Sequence, residues 1–187
     1  KAFAQNIAET LKAAKKPLII SGTSLQDPAI IEAAAQVALN LGANAGLTLT
    51  VPEVNSMGMA ILGGQSLEQA FAQDYDTIVI VENDLYRRLP AKQINAALAK
   101  AKDIIVLDHA ETETVKKANI VLSAASFAEG DGTVVSQEGR AQRFYQVYDA
   151  SYYKPEYAIK ESWRWIHAIE TGVKGQAISW TVLDDVI

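Results

Sequence analysis

The sequence predicts an α/β fold, a doubly wound and mostly parallel sheet flanked by helices, on three observations. Helical and strand patterns alternate through the first two thirds of the chain, as successive β-α-β units do. The strand segments are continuous apolar runs, the pattern of parallel strands covered on both faces. At 187 residues and 49% hydrophobic, the chain can bury a core of moderate size, with room for an extension.

Each element has its own signal. Phe3, Ile7, Leu11 and Ala14 recur at helical spacing. Leu18-Ile19-Ile20, after Pro17, reads as a short buried strand ending at Ser21-Gly22. Asp27-Pro28 starts the next helix, with Asp as its N-cap and Pro in its first turn. Ile30, Ala34, Val37, Ala38 and Leu41 give that helix one apolar face, and Gly42 ends it. Leu47 to Val51 is the second strand, and 52–64, rich in Gly, Asn and Met, reads as a loop. A short helix near Leu67 to Phe71 leads into a third strand at Thr77 to Val81. Pro90 to Lys100 is helical, Ile104 to Leu107 a fourth strand, Glu111 to Ala118 a short helix, and Ile120 to Leu122 a fifth strand. Val134-Val135 and Phe144-Tyr145 then form two short strands around a turn at Glu138-Gly139.

The expected division is an α/β domain over residues 1–150 and an aromatic-rich helical extension over 151–187. Tyr152, Tyr153, Tyr157, Trp163 and Trp165 crowd the extension, and Ile159, Trp163, Ile166 and Ile169 have helical spacing. The chain starts at Lys1 inside one helical pattern and stops inside an apolar one formed by Ile178, Val182, Leu183 and Val186. The expectation is a fragment of a larger polypeptide, with the extension cut short.

Composition removes several classes of function. A net charge of -5 and the lack of long like-charge runs argue against a nucleic-acid binder. With no cysteine, thiolate zinc sites, cysteine nucleophiles and cysteine-ligated iron–sulphur clusters are all out of reach. His109 and His167 are too far apart in sequence to form a histidine-pair metal motif. No apolar run reaches the roughly 18 residues of a membrane span. Neither a dinucleotide-binding glycine fingerprint nor a P-loop is present.

Ligands of such sheets bind beyond the carboxyl ends of the strands. Gly22 follows the first strand in Ser21-Gly22-Thr23-Ser24, a turn that serves either an anion or a plain connection. Asn83, in Glu82-Asn83-Asp84, reads a ligand edge or caps the next turn. Asp108 ends the fourth strand, where an acid accepts from a ligand hydroxyl or caps the following helix. His109 has neither a nucleophile nor a paired acid in its motif, so no catalytic residue and no metal ligand is expected. Glu111 and Glu113 fall near Lys116 and Lys117 on a solvated, salt-bridged face. Phe127 to Arg143 is punctuated by Gly130, Gly132 and Gly139 and carries Glu129, Arg140 and Arg143. It is either a surface hairpin or a loop over the crevice whose arginines meet phosphates or carboxylates.

The run from Ile104 to Gln142 resembles the molybdopterin oxidoreductase family. In that family a strand ending in Asp is followed by a Thr-Glu-Thr helix, an "ADVVLP" strand, an acid, and then "GT" and "EGR-x-Q". Here these are Asp108, Thr112-Glu113-Thr114, Ala118-Asn119-Ile120-Val121-Leu122, Glu129, Gly132-Thr133 and Glu138-Gly139-Arg140-Ala141-Gln142, over about forty residues in order. Asn83 matches a further family position. Ser123 replaces the usual proline, and Ser136-Gln137 the usual Asn before the EGR motif. These departures look like a cofactor site no longer maintained.

The resemblance implies the branch of the family that serves as the large iron–sulphur subunit of bacterial NADH–quinone oxidoreductase, respiratory complex I. There the domain is a scaffold supporting electron transfer from NADH through clusters to quinone. Gly22, Asn83, Asp108, Glu129, Gly132 and Arg140 are then candidates for a vestigial crevice. The chain would hold no cofactor and be inactive alone, while the parent complex would use Fe–S clusters, FMN and NADH. Partners would be the other subunits of the peripheral arm and the N-terminal Fe–S domains of the same chain, on the cytoplasmic face of the inner membrane. The alternative is a working cofactor domain of a molybdenum or tungsten bis-pterin oxidoreductase.

Overall fold

A computed structural model describes residues 2–176, 179–180 and 182–185. Ile178 and Val186 of the C-terminal apolar pattern lie outside the described residues. The chain forms two compact units, Lys1–Gly63 with Val134–Gln142, and Gly64–Thr133 with Arg143–Ile187.

In the first unit, helix α1 (Ala2–Ala13) precedes strand β1 (Leu18–Gly22). Helix α2 (Pro28–Leu41) starts where the sequence signals it: Asp27 accepts the Ala29 N–H at 3.0 Å, and Pro28 occupies the first turn. It ends at Gly42, whose φ of 89° suits glycine. Strand β2 (Gly46–Thr50) pairs parallel with β1, Ile19 opposite Leu47, and α2 packs against both strands. The segment read as a loop contains helix α3 (Ser56–Leu62). Its glycine at 58 is buried, and a β-carbon there would sit 2.2 Å from Asn55 Oδ1. Asn55 Oδ1 also accepts the Val135 N–H at 2.8 Å.

In the second unit, α4 (Leu67–Phe71) opens on a capping box in which Ser66 and Gln69 exchange hydrogen bonds. Strands β3 (Thr77–Val81), β4 (Asp103–Asp108) and β5 (Ile120–Ser123) form a parallel sheet in that order, with α5 (Ala91–Leu98) between β3 and β4. The short helix expected at 111–118 is only a 3₁₀ turn at Val115–Lys117. Strands β6 (Gly132–Val135) and β7 (Ala141–Phe144) pair as a hairpin with Gly139 at φ 79° in its turn, and its middle, Val134–Gln142, belongs to the first unit. Helices α6 (Ala150–Tyr153) and α7 (Ser162–Lys174) follow.

The expected α/β class is present, with parallel strands flanked by helices. The ladders group as β1–β2 and β3–β4–β5. The core of the second unit is Ile80, Leu85, Ile94, Leu98, Ile104 and Val106, with Phe71, Leu67 and Leu89 packed around it. Each such side chain contributes about 1.5–3 kcal/mol by leaving water. That core fixes β3 and β4, and so positions the residues at their carboxyl ends.

Candidate functional site

The carboxyl ends of β3, β4 and β5 gather the polar residues of the second unit. The Glu82 N–H donates to Leu107 O at 2.7 Å, carrying the ladder one residue past β3. Glu82 then turns the chain off the sheet at φ 46°, a conformation that costs a non-glycine residue about 1 kcal/mol. Its carboxylate accepts a hydrogen bond from Ser162 Oγ. Asn83 Oδ1 accepts from Arg88 Nε at 3.1 Å. The turn cap is instead Asp84, whose Oδ1 accepts from the Tyr86 N–H and, at 2.7 Å, from Thr114 Oγ1.

Thr114 is fully buried and is the joint of this edge. Its hydroxyl donates to Asp84 and accepts the Leu85 N–H at 2.8 Å. Thr112 Oγ1 accepts the Val115 N–H at 3.2 Å. The Thr-Glu-Thr motif thus ties the β4–β5 connection to the end of β3. Asn119 does similar work at the amino end of β4, where its Oδ1 accepts the Ile104 N–H at 2.7 Å. Burial, together with the negative charges of Glu113 and Asp84, pushes the Tyr86 phenol above its ordinary pKa. The Tyr86 hydroxyl donates to Asn95 Oδ1 at 2.6 Å.

Asp108 is buried, and its Oδ1 accepts the N–H groups of His109 at 2.8 Å and Ala110 at 3.1 Å. It caps the turn that follows β4. His109 is half exposed, its Nδ1 3.4 Å from the same oxygen. Glu113 and Lys116 pair at 2.7 Å on the exposed face that the sequence predicts.

The start of α7 and the residues before it lie across this edge. The Trp165 indole N–H donates to Ser123 O at 2.9 Å, and the Lys160 N–H reaches the same oxygen at 3.3 Å. Lys160 O accepts the Ala125 N–H at 2.9 Å, and the Lys160 ammonium sits 4.9 Å from the Trp165 ring centroid. With Ser162 on Glu82, the chain's own segment 160–165 meets the ends of β3 and β5, while α7 packs on β4.

Glu129 accepts from the N–H and hydroxyl of Ser126 at 2.9 and 2.7 Å, closing its own turn. A β-carbon on Gly132 would lie 2.3 Å from the Phe144 ring, so glycine is required there by close packing. Gly22 and Arg140 belong to the first unit. A β-carbon on Gly22 would lie 2.5 Å from Thr50 O, so strand β2 dictates that glycine. Arg140 is exposed, and its backbone N–H donates to Ser136 Oγ at 3.3 Å. Of the six crevice candidates, Asn83 follows β3 and Asp108 ends the adjacent β4, while Glu129, in a turn, and Gly132, at the start of β6, lie in the same unit. Thr114, Ser162 and Trp165 complete the edge; the Thr-Glu-Thr motif pointed to the first, whereas nothing local to the sequence marks Ser162. Among the described residues no group of three or more His, Asp or Glu side chains is placed to hold a metal ion, and no helix is long and apolar enough to cross a membrane.

A family model, molybdopterin oxidoreductase, matches residues 2–170. The chain is 54% identical over 192 residues to the G subunit of NADH-quinone oxidoreductase from Pseudomonas putida, with 99% of this chain and 21% of the relative covered. The G subunits from Escherichia coli K12 and Salmonella typhimurium are 50% and 49% identical over 188 residues, covering 97% of this chain and 21% of each relative. The chain therefore spans about a fifth of the length of these relatives. The family match runs through both units and includes Asp108, the Thr-Glu-Thr joint and the Glu138-Gly139-Arg140 turn, so the chain belongs to the molybdopterin oxidoreductase family.

Proposed function

We propose that this chain is a scaffold domain in the large subunit of an NADH–quinone oxidoreductase, supporting electron transfer that takes place elsewhere. In this reading Asn83, Asp108, Glu129 and Gly132 in the second unit, and Gly22 and Arg140 in the first, are remnants of residues that once served a cofactor. The reading is carried by the way the carboxyl edge of β3–β5 is used. Glu82, Asn83, Asp84 and Asp108 already accept hydrogen bonds from the chain itself, and segment 160–165 lies against the same edge. Such an arrangement favours a packed edge over a pterin pocket, because these acceptors already have partners within the chain. Without cysteine the chain holds no thiolate-bound cluster, so clusters, flavin and NADH would belong to the rest of the subunit and its complex.

Segment 160–165 in this reading is the part of the C-terminal extension that braces the β3–β5 edge within the second unit. The exposed Tyr145, Tyr148, Tyr152 and Tyr153 offer aromatic surface to neighbouring parts of a peripheral arm on the cytoplasmic face of the membrane. The purified chain is expected to show no NADH oxidation with any quinone acceptor; saturable turnover would overturn the scaffold reading. A second reading, a pterin-binding domain of a molybdenum or tungsten enzyme, is favoured by the retained Gly132-Thr133 and Glu138-Gly139-Arg140 motifs.

A further inference from the structure

Helix α7 carries an unusual row on one face. Trp163 Nε1, His167 Nε2 and Thr171 Oγ1 are sealed from solvent, yet have no hydrogen-bond partner among the described residues. Residues four apart stand one above another on a helix, so the three groups share a single face. Trp180 packs on the first two, its ring centroid 5.9 Å from that of Trp163 and 4.6 Å from that of His167. Alternative bonds are within ordinary reach and are not used. A mid-helix threonine commonly bonds the carbonyl four residues back, but Thr171 Oγ1 does not. A buried indole N–H commonly finds an acceptor, as Trp165 does at Ser123 O. Three orphaned groups in one row would each cost roughly 1–3 kcal/mol if dry, a heavy burden for one helix.

We propose that this row is an internal hydration site, in which water molecules bridge Trp163 to His167 and His167 to Thr171. The spacing suits it. Successive members rise about 6 Å along the axis, and a water bonded at about 2.8–3.0 Å to each of two groups bridges atoms about 4.5–5 Å apart, a separation that side chains tilting toward each other provide. Chemistry suits it as well: the indole only donates, the imidazole nitrogen donates or accepts, and the hydroxyl does both, so each water finds a donor and an acceptor. The waters would act as part of the packing between α7 and Trp180.

Thr171→Val and His167→Leu in the full chain test this, because a dry row and a wet row respond with opposite sign. If the row is hydrated, Thr171→Val lowers the thermal midpoint by roughly 2–4 °C, because a water loses a partner in a polar cavity. His167→Gln, which keeps a polar terminus, then retains more stability than His167→Leu. If the row is dry, removing an orphaned hydroxyl raises the midpoint, and His167→Leu equals or exceeds His167→Gln; that result overturns the proposal. A map at a resolution that shows ordered water gives the second reading, independent of any variant. Density bridging Nε1 of Trp163 and Nε2 of His167 supports the site, and none there refutes it.

Discussion

Thr114→Val is the sharpest probe of the joint between β3 and the β4–β5 connection. The substitution keeps shape and removes one hydroxyl. Two bonds are lost: Thr114 Oγ1 to Asp84 Oδ1 at 2.7 Å, and the Leu85 N–H to Thr114 Oγ1 at 2.8 Å. Leu85 is buried, so its N–H is left without a partner, at a cost of about 1–3 kcal/mol. The bond to a carboxylate would add about 1.5–3 kcal/mol in full burial, but Asp84 is half-buried and rehydrates, so about half of that applies. The sum is about 2–4 kcal/mol. At about 2 kcal/mol per molar of urea, the unfolding midpoint falls by about 1–2 M. Tryptophan fluorescence reads the right part of the molecule, because Trp163, Trp165 and Trp180 all lie in the second unit. Thr114→Ser keeps the hydroxyl and loses one methyl group, about 1 kcal/mol. If Thr114→Val matches the wild type within about 0.5 kcal/mol, the joint carries no load and the Thr-Glu-Thr motif needs another explanation.

Three further outcomes follow from the same geometry. Gly132→Ala forces a methyl group against the Phe144 ring, where the gap is 2.3 Å, and should cost about 1–3 kcal/mol in urea unfolding, with Phe144→Leu restoring part of the loss. Trp165→Phe removes the indole N–H donated to Ser123 O and weakens the contact with Lys160, for a loss of about 1–2 kcal/mol read by the same denaturation. Tyr86 is held above its ordinary pKa of 10.0 by burial first and then by Glu113 and Asp84, so the folded state favours the neutral phenol. Its contribution to stability is whole below pH 10.0 and is lost as pH rises through the higher folded value, and Tyr86→Phe should remove a late step from the phenolate absorbance titration.

Much of this fold is visible in local chemistry. Asp27-Pro28 and Gly42 bound α2 because capping is settled by a few neighbouring atoms. Four of the five parallel strands are visible because each contains a run of apolar residues, while β2 alternates Leu47 and Leu49 with Thr48 and Thr50. Two elements escaped for physical reasons. Helix α3 contains Gly58 in its interior, so propensity argues against it, yet Gly58 lets Asn55 pack closely beneath the helix. Residues 111–118 have helical composition, but Thr112 and Thr114 spend their hydroxyls on the Val115 and Leu85 N–H groups, which leaves only a 3₁₀ turn. At the candidate site, Asn83, Asp84 and Asp108 were evident as polar residues after strands. Whether each serves a ligand or the chain depended on partners such as Arg88 and Thr114, and Ser162 reaches Glu82 from 80 residues away. Side-chain pairing at that separation leaves no trace in a single sequence.

The central claim, the proposal that the domain is a scaffold with no working pterin site, meets its most direct test in the metal and cofactor content of the assembly that purifies with this chain from its native source. Molybdenum, tungsten and extractable pterin should be measured beside iron and flavin in the same preparation. The account predicts iron and flavin in stoichiometric amount and none of the other three. Stoichiometric pterin together with molybdenum or tungsten would contradict it, and would make Asn83, Asp108 and Glu129 the first residues to examine as ligand contacts.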